Sequence, residues 1–374
     1  MTTGWLWHEI YGWHDTGTAA GFLTGDGLQP FKHFESAESK TRFASLVEVS
    51  GVVKHLTRVE ARPADESDLL RVHTAEHVRS MQTQSADPRG GDMGDGLSPF
   101  GQGGYDIGRW SAGGVMVAVE AVVTGTVRNA YALVRPPGHH AVPDSGMGFC
   151  MFANIAVAVQ YARAKLGVNR VAVVDWDVHH GNGTEVCFVQ DPDVLTISLH
   201  QDGNFPADTG KITHRGEGPG FGAAINIPLP PGSGHGAYTY AFSEVIEPAL
   251  RQFRPDLIIV ASGFDSSNAD PLGRMLLTSG SYAELTRGLM AVADELCDGR
   301  LVVSHEGGYS PVYVPFCGLA VLEALSGVTT GTVDPYEVFW RGLPGQELQD
   351  HQRALIDGIR HVAHEVPTAV SASH

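Results

Sequence analysis

The sequence predicts an α/β fold: one domain of 374 residues with a predominantly parallel central sheet and helices on both faces. Three observations predict it. The strand-like segments are short unbroken runs of Val, Ile and Leu with no polar alternation, the pattern of strands buried on both faces. Each run is followed by a segment of helical period, the order that builds parallel strands through helical crossovers. No internal repeat or low-complexity stretch interrupts this order, and 43% hydrophobic content supplies apolar surface for a large core.

Taken in order, residues 4–51 carry Trp5, Trp7, Tyr11 and Trp13 among glycine turns and end in a charged amphipathic segment, 35–47. They read as a loop-rich lead-in packed on the main body. A short strand is expected over 56–61, and a helix over 66–83, where Leu69, Leu70, Val72, Val78 and Met81 offer one apolar face. Residues 86–104 are dense in Gly, Asp and Pro; so long an aperiodic stretch in a compact domain reads as a functional surface loop. From Arg109 the alternation is regular: helix 111–123, strand 130–134, helix 152–166, strand 171–175, short helix 184–189 and strand 194–199. A glycine-rich excursion, 203–222, precedes strand 224–227, helix 237–253, strand 257–261, helix 282–294, strand 301–304 and helix 315–325. Residues 328–374 form a more polar, helix-prone extension on a core spanning about residues 5–325.

Composition excludes some functions. Lys and Arg total 25 against 42 Asp and Glu, a formal charge of −17. Such a surface repels phosphate backbones and anionic lipid, so neither nucleic acid nor membrane is expected as a partner, whereas a cationic substrate is compatible. Cys150, Cys187, Cys297 and Cys317 are scattered, without a Cys-x-x-Cys pair, and read as reduced residues of a cytoplasmic protein. The first eleven residues lack the pattern of a secretory leader, and no apolar run approaches a membrane span.

In an open parallel sheet, sites form at the carboxyl ends of the strands. Four predicted strand tips deliver reactive groups there: Arg135-Pro136-Pro137-Gly138-His139-His140, Asp175-x-Asp177-x-His179, Gly263-Phe264-Asp265 and Glu306-Gly307-Gly308-Tyr309. One of these alone is weak. With 18 histidines, a His-His pair is expected by chance about 0.9 times, so the coincidence of several tips carries the argument. In an extended segment Asp175, Asp177 and His179 share a face, with Trp176 and Val178 on the other. Capping of the next helix is the plain alternative for such a strand end.

The chemistry of the four tips fits together. Asp177, His179 and Asp265 make a three-ligand set that leaves a metal position open, as in catalytic zinc sites. A metal so held acidifies water and polarises a carbonyl. His139 and His140 are placed for proton transfer, Asp175 to orient a histidine, and Tyr309 to donate to an oxyanion. This predicts a metal-assisted amide hydrolase.

The same motifs, with Asn182-Gly183-Thr184 following His179-His180-Gly181, resemble the zinc-dependent histone deacetylase superfamily, and within it the class II-like bacterial histone-deacetylase-like amidohydrolases. The resemblance runs from about Trp5 to Leu325. It implies an arginase/deacetylase-like fold and removal of acyl groups from ε-acetyl-lysine-type amines, by a protein often homo-oligomeric. It makes Asp177, His179 and Asp265 the Zn2+ ligands, His140 the general base, and His139 its electrostatic or acid partner. Asp175 then backs His139, Asn182 backs His140, and Tyr309 polarises the scissile carbonyl. Phe149 and Phe205 resemble the channel walls, Gly148 a carbonyl acceptor for the substrate N–H, and Leu272 the apolar rim residue. The resemblance also implies structural K+, one ion held by oxygens of Asp175, Asp177, His179, Ser198 and Leu199, a second by Phe188, Asp191, Val194 and Ala223.

Two positions mark the subtype. Asn182 stands where class I members carry an acid, which lowers the basicity expected of His140. Leu272 replaces the acidic residue that would select an acetylpolyamine. An acetylpolyamine amidohydrolase remains the alternative, and a non-catalytic acyl-lysine reader is a third reading that the presence of Tyr309 opposes. His180, His200, His214, His235 and His305 read as structural or surface residues.

Overall fold

A computed structural model describes residues 2–19 and 29–368. Ten strands are present among them: β1 Thr3–Leu6, β2 Leu56–Arg58, β3 Gly91–Asp92, β4 Pro99–Phe100, β5 Asn129–Ala132, β6 Val171–Asp175, β7 Val194–Gln201, β8 Ala224–Leu229, β9 Leu257–Ser262 and β10 Leu301–His305. Eight of them form one sheet in the order β2-β1-β5-β10-β9-β6-β7-β8, every pairing parallel; β3 and β4 make a small hairpin.

Alternation along the strands splits the core into two faces. In β6, Ala172 and Val174 join one apolar cluster and Val171 and Val173 the other; in β9, Ile258 and Val260 oppose Leu257, Ile259 and Ala261. Helices Gly104–Val123 and Asn154–Lys165 cover one face, and Glu38–Ser50, Ser279–Leu296 and Val314–Ser326 cover the other. Each fully buried Val or Ile contributes about 1.5–3 kcal/mol, which is why both faces must be covered.

Topology places the site. The chain leaves β5 and builds β6, β7 and β8 outward; β9 and β10 later fill the gap between β5 and β6. The four tips that carry the chemistry therefore belong to adjacent central strands, at a switch in strand order.

Several expectations need correction. The segment read as a loop-rich lead-in contains β1, a strand inside the sheet, paired with both β2 and β5; four residues with one glycine are too few to show a period. Residues 20–28 of that segment lie outside the described residues. The strand expected over 56–61 ends at Arg58. The helix expected over 66–83 is two helices, Glu66–Leu69 and Ala75–Ala86. Thr74 starts the second, its hydroxyl accepting the His77 N–H at 3.2 Å. The helix expected over 237–253 contains a π-type turn at Phe242–Ile246, just before Pro248, whose missing N–H breaks the regular ladder. The polar extension contributes to the core: Ile356, Ile359, Val362, Ala363 and Val366 are buried. Its last residues, 369–374, lie outside the described residues.

Candidate active site

β6 stops at Asp175, and the chain coils tightly because each carboxylate caps the N–H two residues on. Asp175 Oδ1 accepts from Asp177 N at 3.0 Å, and Asp177 Oδ1 from His179 N at 2.9 Å. The expected common face of three side chains is thus divided. Asp175 turns to His139, while Asp177 and His179 meet Asp265 from β9. Trp176 and Val178 do pack on the opposite, apolar side.

His179 Nδ1 lies 3.0 Å from Asp177 Oδ1 and 3.1 Å from Asp265 Oδ2, and one ligand-capable atom from each of the three residues lies within 4.8 Å of the others. Other bonds fix both carboxylates: Asp265 Oδ1 accepts from Val178 N at 2.8 Å and Asp177 Oδ2 from Gly307 N at 2.8 Å. Glycines 263 and 307 make the cradle. A Cβ at Gly307 would collide with Oδ2 of both Asp265 and Asp177, and one at Gly263 with Asp177. Burial pushes both carboxyls up. His139 and His179 overcome this at Asp177, whose carboxyl is held below the usual range, whereas Asp265, facing the Asp177 charge, rises to about 6. Two buried carboxylates converging on one imidazole are the donor set a divalent cation would neutralise, so the residues fit a metal.

The histidine pair follows β5. His139 Nδ1 contacts Asp175 Oδ2 at 2.9 Å, and His140 Nδ1 contacts Asn182 Oδ1 at 2.7 Å. The Asn182 amide NH2 faces His140 O at 3.4 Å and Met147 Sδ at 3.5 Å, so its oxygen must face the imidazole. His140 therefore carries its proton on Nδ1 and its lone pair on Nε2. Burial opposes charge on both rings, but Asp177 and Asp175 push His139 up to about 10. His140 goes the other way, held well below its ordinary value by burial and the neighbouring His139 and His179. Adjacent histidines thus prefer opposite protonation states.

Above them opens a pocket of about 200 Å³. His140, His179 and Tyr309 line it, with Gly148, Phe149, Phe205 and Leu272, so every proposed substrate-contacting residue is gathered there. The Phe205 ring centroid is 5.0 Å from His140, and Phe149 is 5.9 Å from Tyr309. Gly148 and Phe149 both have positive φ, 55° and 68°, costly for Phe149 by about 1–3 kcal/mol. Loop 91–98 holds this turn: Asp95 Oδ2 accepts from Gly148 N at 2.7 Å and Ser98 Oγ from Phe149 N at 2.8 Å. Burial and the Asp265 and Asp177 charges raise the Tyr309 phenol well above its ordinary value, which keeps it a donor.

Sequence reasoning missed four lining residues, Phe34, Asp95, Leu97 and Asn204. The signal for two of them was present: Asp95 and Leu97 fall in the loop singled out for its Gly and Asp content. Phe34 and Asn204 carry no signal of their own. Of the residues assigned to potassium, Ser198 sits beside Asp175 on β7, its Oγ accepting from Gly181 N at 3.3 Å. Phe188, Asp191 and Val194 share one turn, Asp191 N donating to Phe188 O at 2.9 Å. The Ala223 carbonyl accepts from Thr196 N at 2.9 Å. A second cluster of ligand-capable atoms, His139, Cys150 and Glu306, is equally tight. Burial and the Glu306 carboxylate keep its thiol protonated, well above the ordinary cysteine range.

A parallel α/β sheet thus gathers carboxylates, imidazoles and a tyrosine at its central tips beside an aromatic-walled pocket. The family model described as the histone deacetylase domain matches residues 33–325. Over 362 residues the chain is 48% identical to the histone deacetylase-like amidohydrolase of Pseudomonas aeruginosa, covering 96% of this chain and 95% of that one. It is 36% identical over 349 residues to a probable deacetylase of Archaeoglobus fulgidus, covering 91% and 92%. The crystal structure of the HDA15 HD domain matches with a TM-score of 0.84 at 31% identity, covering 98% of this chain and 95% of that one. The chain belongs to the histone deacetylase family.

Proposed function

We propose that this chain is a zinc-dependent deacetylase that removes acetyl or longer acyl groups from ε-acyl-lysine-type amines. One observation carries the reading: adjacent histidines, His139 bonded to Asp175 and His140 to Asn182, lie beside an open three-ligand set at an aromatic-walled pocket. Zinc bound by Asp177, His179 and Asp265 would supply a Lewis acid for the carbonyl and a lowered pKa for water. The other steps belong to the chain's own groups. Phe149 and Phe205 flank the methylene stem of the substrate. Gly148 offers its carbonyl, which among the described residues accepts from the weak Cys150 thiol donor at 3.4 Å, to the amide N–H. Tyr309 donates its hydroxyl to the scissile carbonyl oxygen, strengthening as charge develops there. His140 Nε2 removes a proton from the attacking water, and protonated His139 returns one to the leaving amine. Potassium at the two oxygen sets, homo-oligomeric assembly and a cytoplasmic location belong to the same reading.

The Asp95 carboxylate at the pocket rim favours a second reading, an acetylpolyamine amidohydrolase, by offering a charge partner to a cationic substrate. Apolar Leu272 on the same rim weighs against it. Turnover of an acetyl-lysine peptide and of acetylspermidine, measured in parallel on zinc-loaded protein, separates the two. The peptide is expected to react faster. The reverse order would install the second reading, and no turnover of either would leave a silent acyl-lysine binder.

A further inference from the structure

Glu306 is wholly buried, yet it takes no part in the chemistry just described. It stands at the end of β10, three residues before Tyr309, and its carboxylate crosses to the neighbouring tip. Oε2 accepts two consecutive N–H groups, Gly138 at 2.6 Å and His139 at 3.1 Å, while Oε1 accepts from Ser304 Oγ at 3.3 Å. Its own N–H donates to Ser262 O on β9 at 3.1 Å.

The residues that follow continue the pattern. Gly307 N holds Asp177 Oδ2 at 2.8 Å, Gly308 O accepts from Ser39 Oγ at 3.0 Å, and Tyr309 N donates to Asp270 Oδ2 at 2.7 Å. One tip is thus pinned to each of the others, and Glu306 makes its bond to the histidine pair. His139 is then held at three of its polar atoms: N by Glu306, Nδ1 by Asp175, and O by the N–H groups of Gly183 at 3.0 Å and Thr184 at 3.1 Å.

We propose that Glu306 is a positioning residue, a clamp that sets His139 and His140 in register with Tyr309 across the β5–β10 boundary. The inference rests on the reading that these three residues hydrolyse an amide. What it adds is that the acceptor geometry of Glu306 is what the rate depends on. Two N–H groups from one turn converge on a single oxygen, so the side chain must bring an acceptor to that point. Glutamine does so without the charge: its oxygen takes the same place, and its NH2 meets a Ser304 hydroxyl free to rotate and accept. Aspartate keeps the charge and falls short by about 1.5 Å.

The test compares these two variants in the full-length, zinc-loaded protein. Glu306→Gln is expected to hold kcat within about threefold of wild type. Glu306→Asp is expected to lower kcat by about 10- to 100-fold, the scale of a misplacement near 1 Å, with KM little changed. The downfield proton resonance of His139 Nδ1–H gives a readout independent of turnover, unmoved in the Gln variant and shifted in the Asp variant. An Asp variant with wild-type kcat and an unmoved resonance would overturn the clamp. So would a Gln variant slower than the Asp variant, and the isosteric Gln protein folds on either account. A wild-type protein that hydrolyses no acylated amine would sink the hydrolase reading instead, and the two resonances would still decide the clamp.

Discussion

His140 can accept a proton only while Nε2 is free, and Asn182 is the residue that keeps it so. Because the amide is neutral, it orients the ring without drawing charge onto it. Asn182→Asp would place a carboxylate at the same 2.7 Å, favouring the imidazolium. The pKa of His140 rises, so the acid limb of kcat/KM moves to higher pH, and activity near pH 6 is expected to fall by on the order of tenfold. A pH–rate profile superimposable on wild type would refute this role. Tyr309→Phe removes one oxyanion donor and is expected to cost kcat about 10²- to 10³-fold in steady-state assays, with zinc content unchanged. His140 and Tyr309 stood out in the sequence because His and Tyr at strand tips are chemically conspicuous, whereas Asn182 was reached only through the family resemblance. The loop of Asp95 was conspicuous too, but the bond of Asp95 to Gly148 was not legible, since it spans 53 positions and depends on how that loop closes. Glu306 was visible in its motif, but its clamp on Gly138 and His139 spans 168 and 167 positions.

At the scale of elements, the strands from β5 onward were readable from their apolar runs, and so were the four reactive tips, whereas β1, β3 and β4 were not. The order of the strands was not, because insertion of β9 and β10 between β5 and β6 is a long-range pairing without a local signature. Only that order makes four separate tips into one rim. Glycines between strand and site are equally silent in a sequence, although they set how closely the tips approach. Gly307→Ala tests this. The added Cβ would meet two buried carboxylates held by backbone N–H bonds, neither of which can yield cheaply. Zinc affinity is expected to drop by about 10- to 100-fold, the effect typical of disturbing the groups that orient metal ligands. Competition against a chelator measures it, and unchanged affinity would show that the tip can move aside. The split of the helix expected over 66–83 teaches a related lesson. Its apolar face continued through the break, but Thr74 N donates to Pro143 O at 2.8 Å, a tertiary bond that ends one helix and starts another.

Across the whole molecule, buried histidines outside the three-ligand set contribute to stability against acid. His73 is buried with both nitrogens committed in the neutral form: Nδ1 lies 3.3 Å from Pro143 O, and Nε2 accepts from Ala153 N at 2.9 Å. Protonating Nε2 would break the second bond. Burial, aided by His77, pushes its pKa down to about 3; burial and the Arg135 cation do the same to His14, also to about 3. In the unfolded chain both titrate near 6.5. Between those values the unfolded state binds more protons, so stability is full above about pH 6.5 and declines as pH falls, by about 1.4 kcal/mol per pH unit for each histidine. Glu35 adds a later step. Burial alone would raise its carboxyl, but Arg135 and Lys40 overcome that and hold it below the usual range, so its contribution is present above its unfolded pKa and lost below it. Urea unfolding at pH 7.5, 6.5, 5.5 and 4.5 is therefore expected to show stability falling below pH 6.5, before most carboxylates begin to protonate. In His73→Gln the slope should be shallower by about one proton. Comparing the two proteins cancels whatever the metal site contributes, so parallel slopes would rule out His73 as a source of the acid lability.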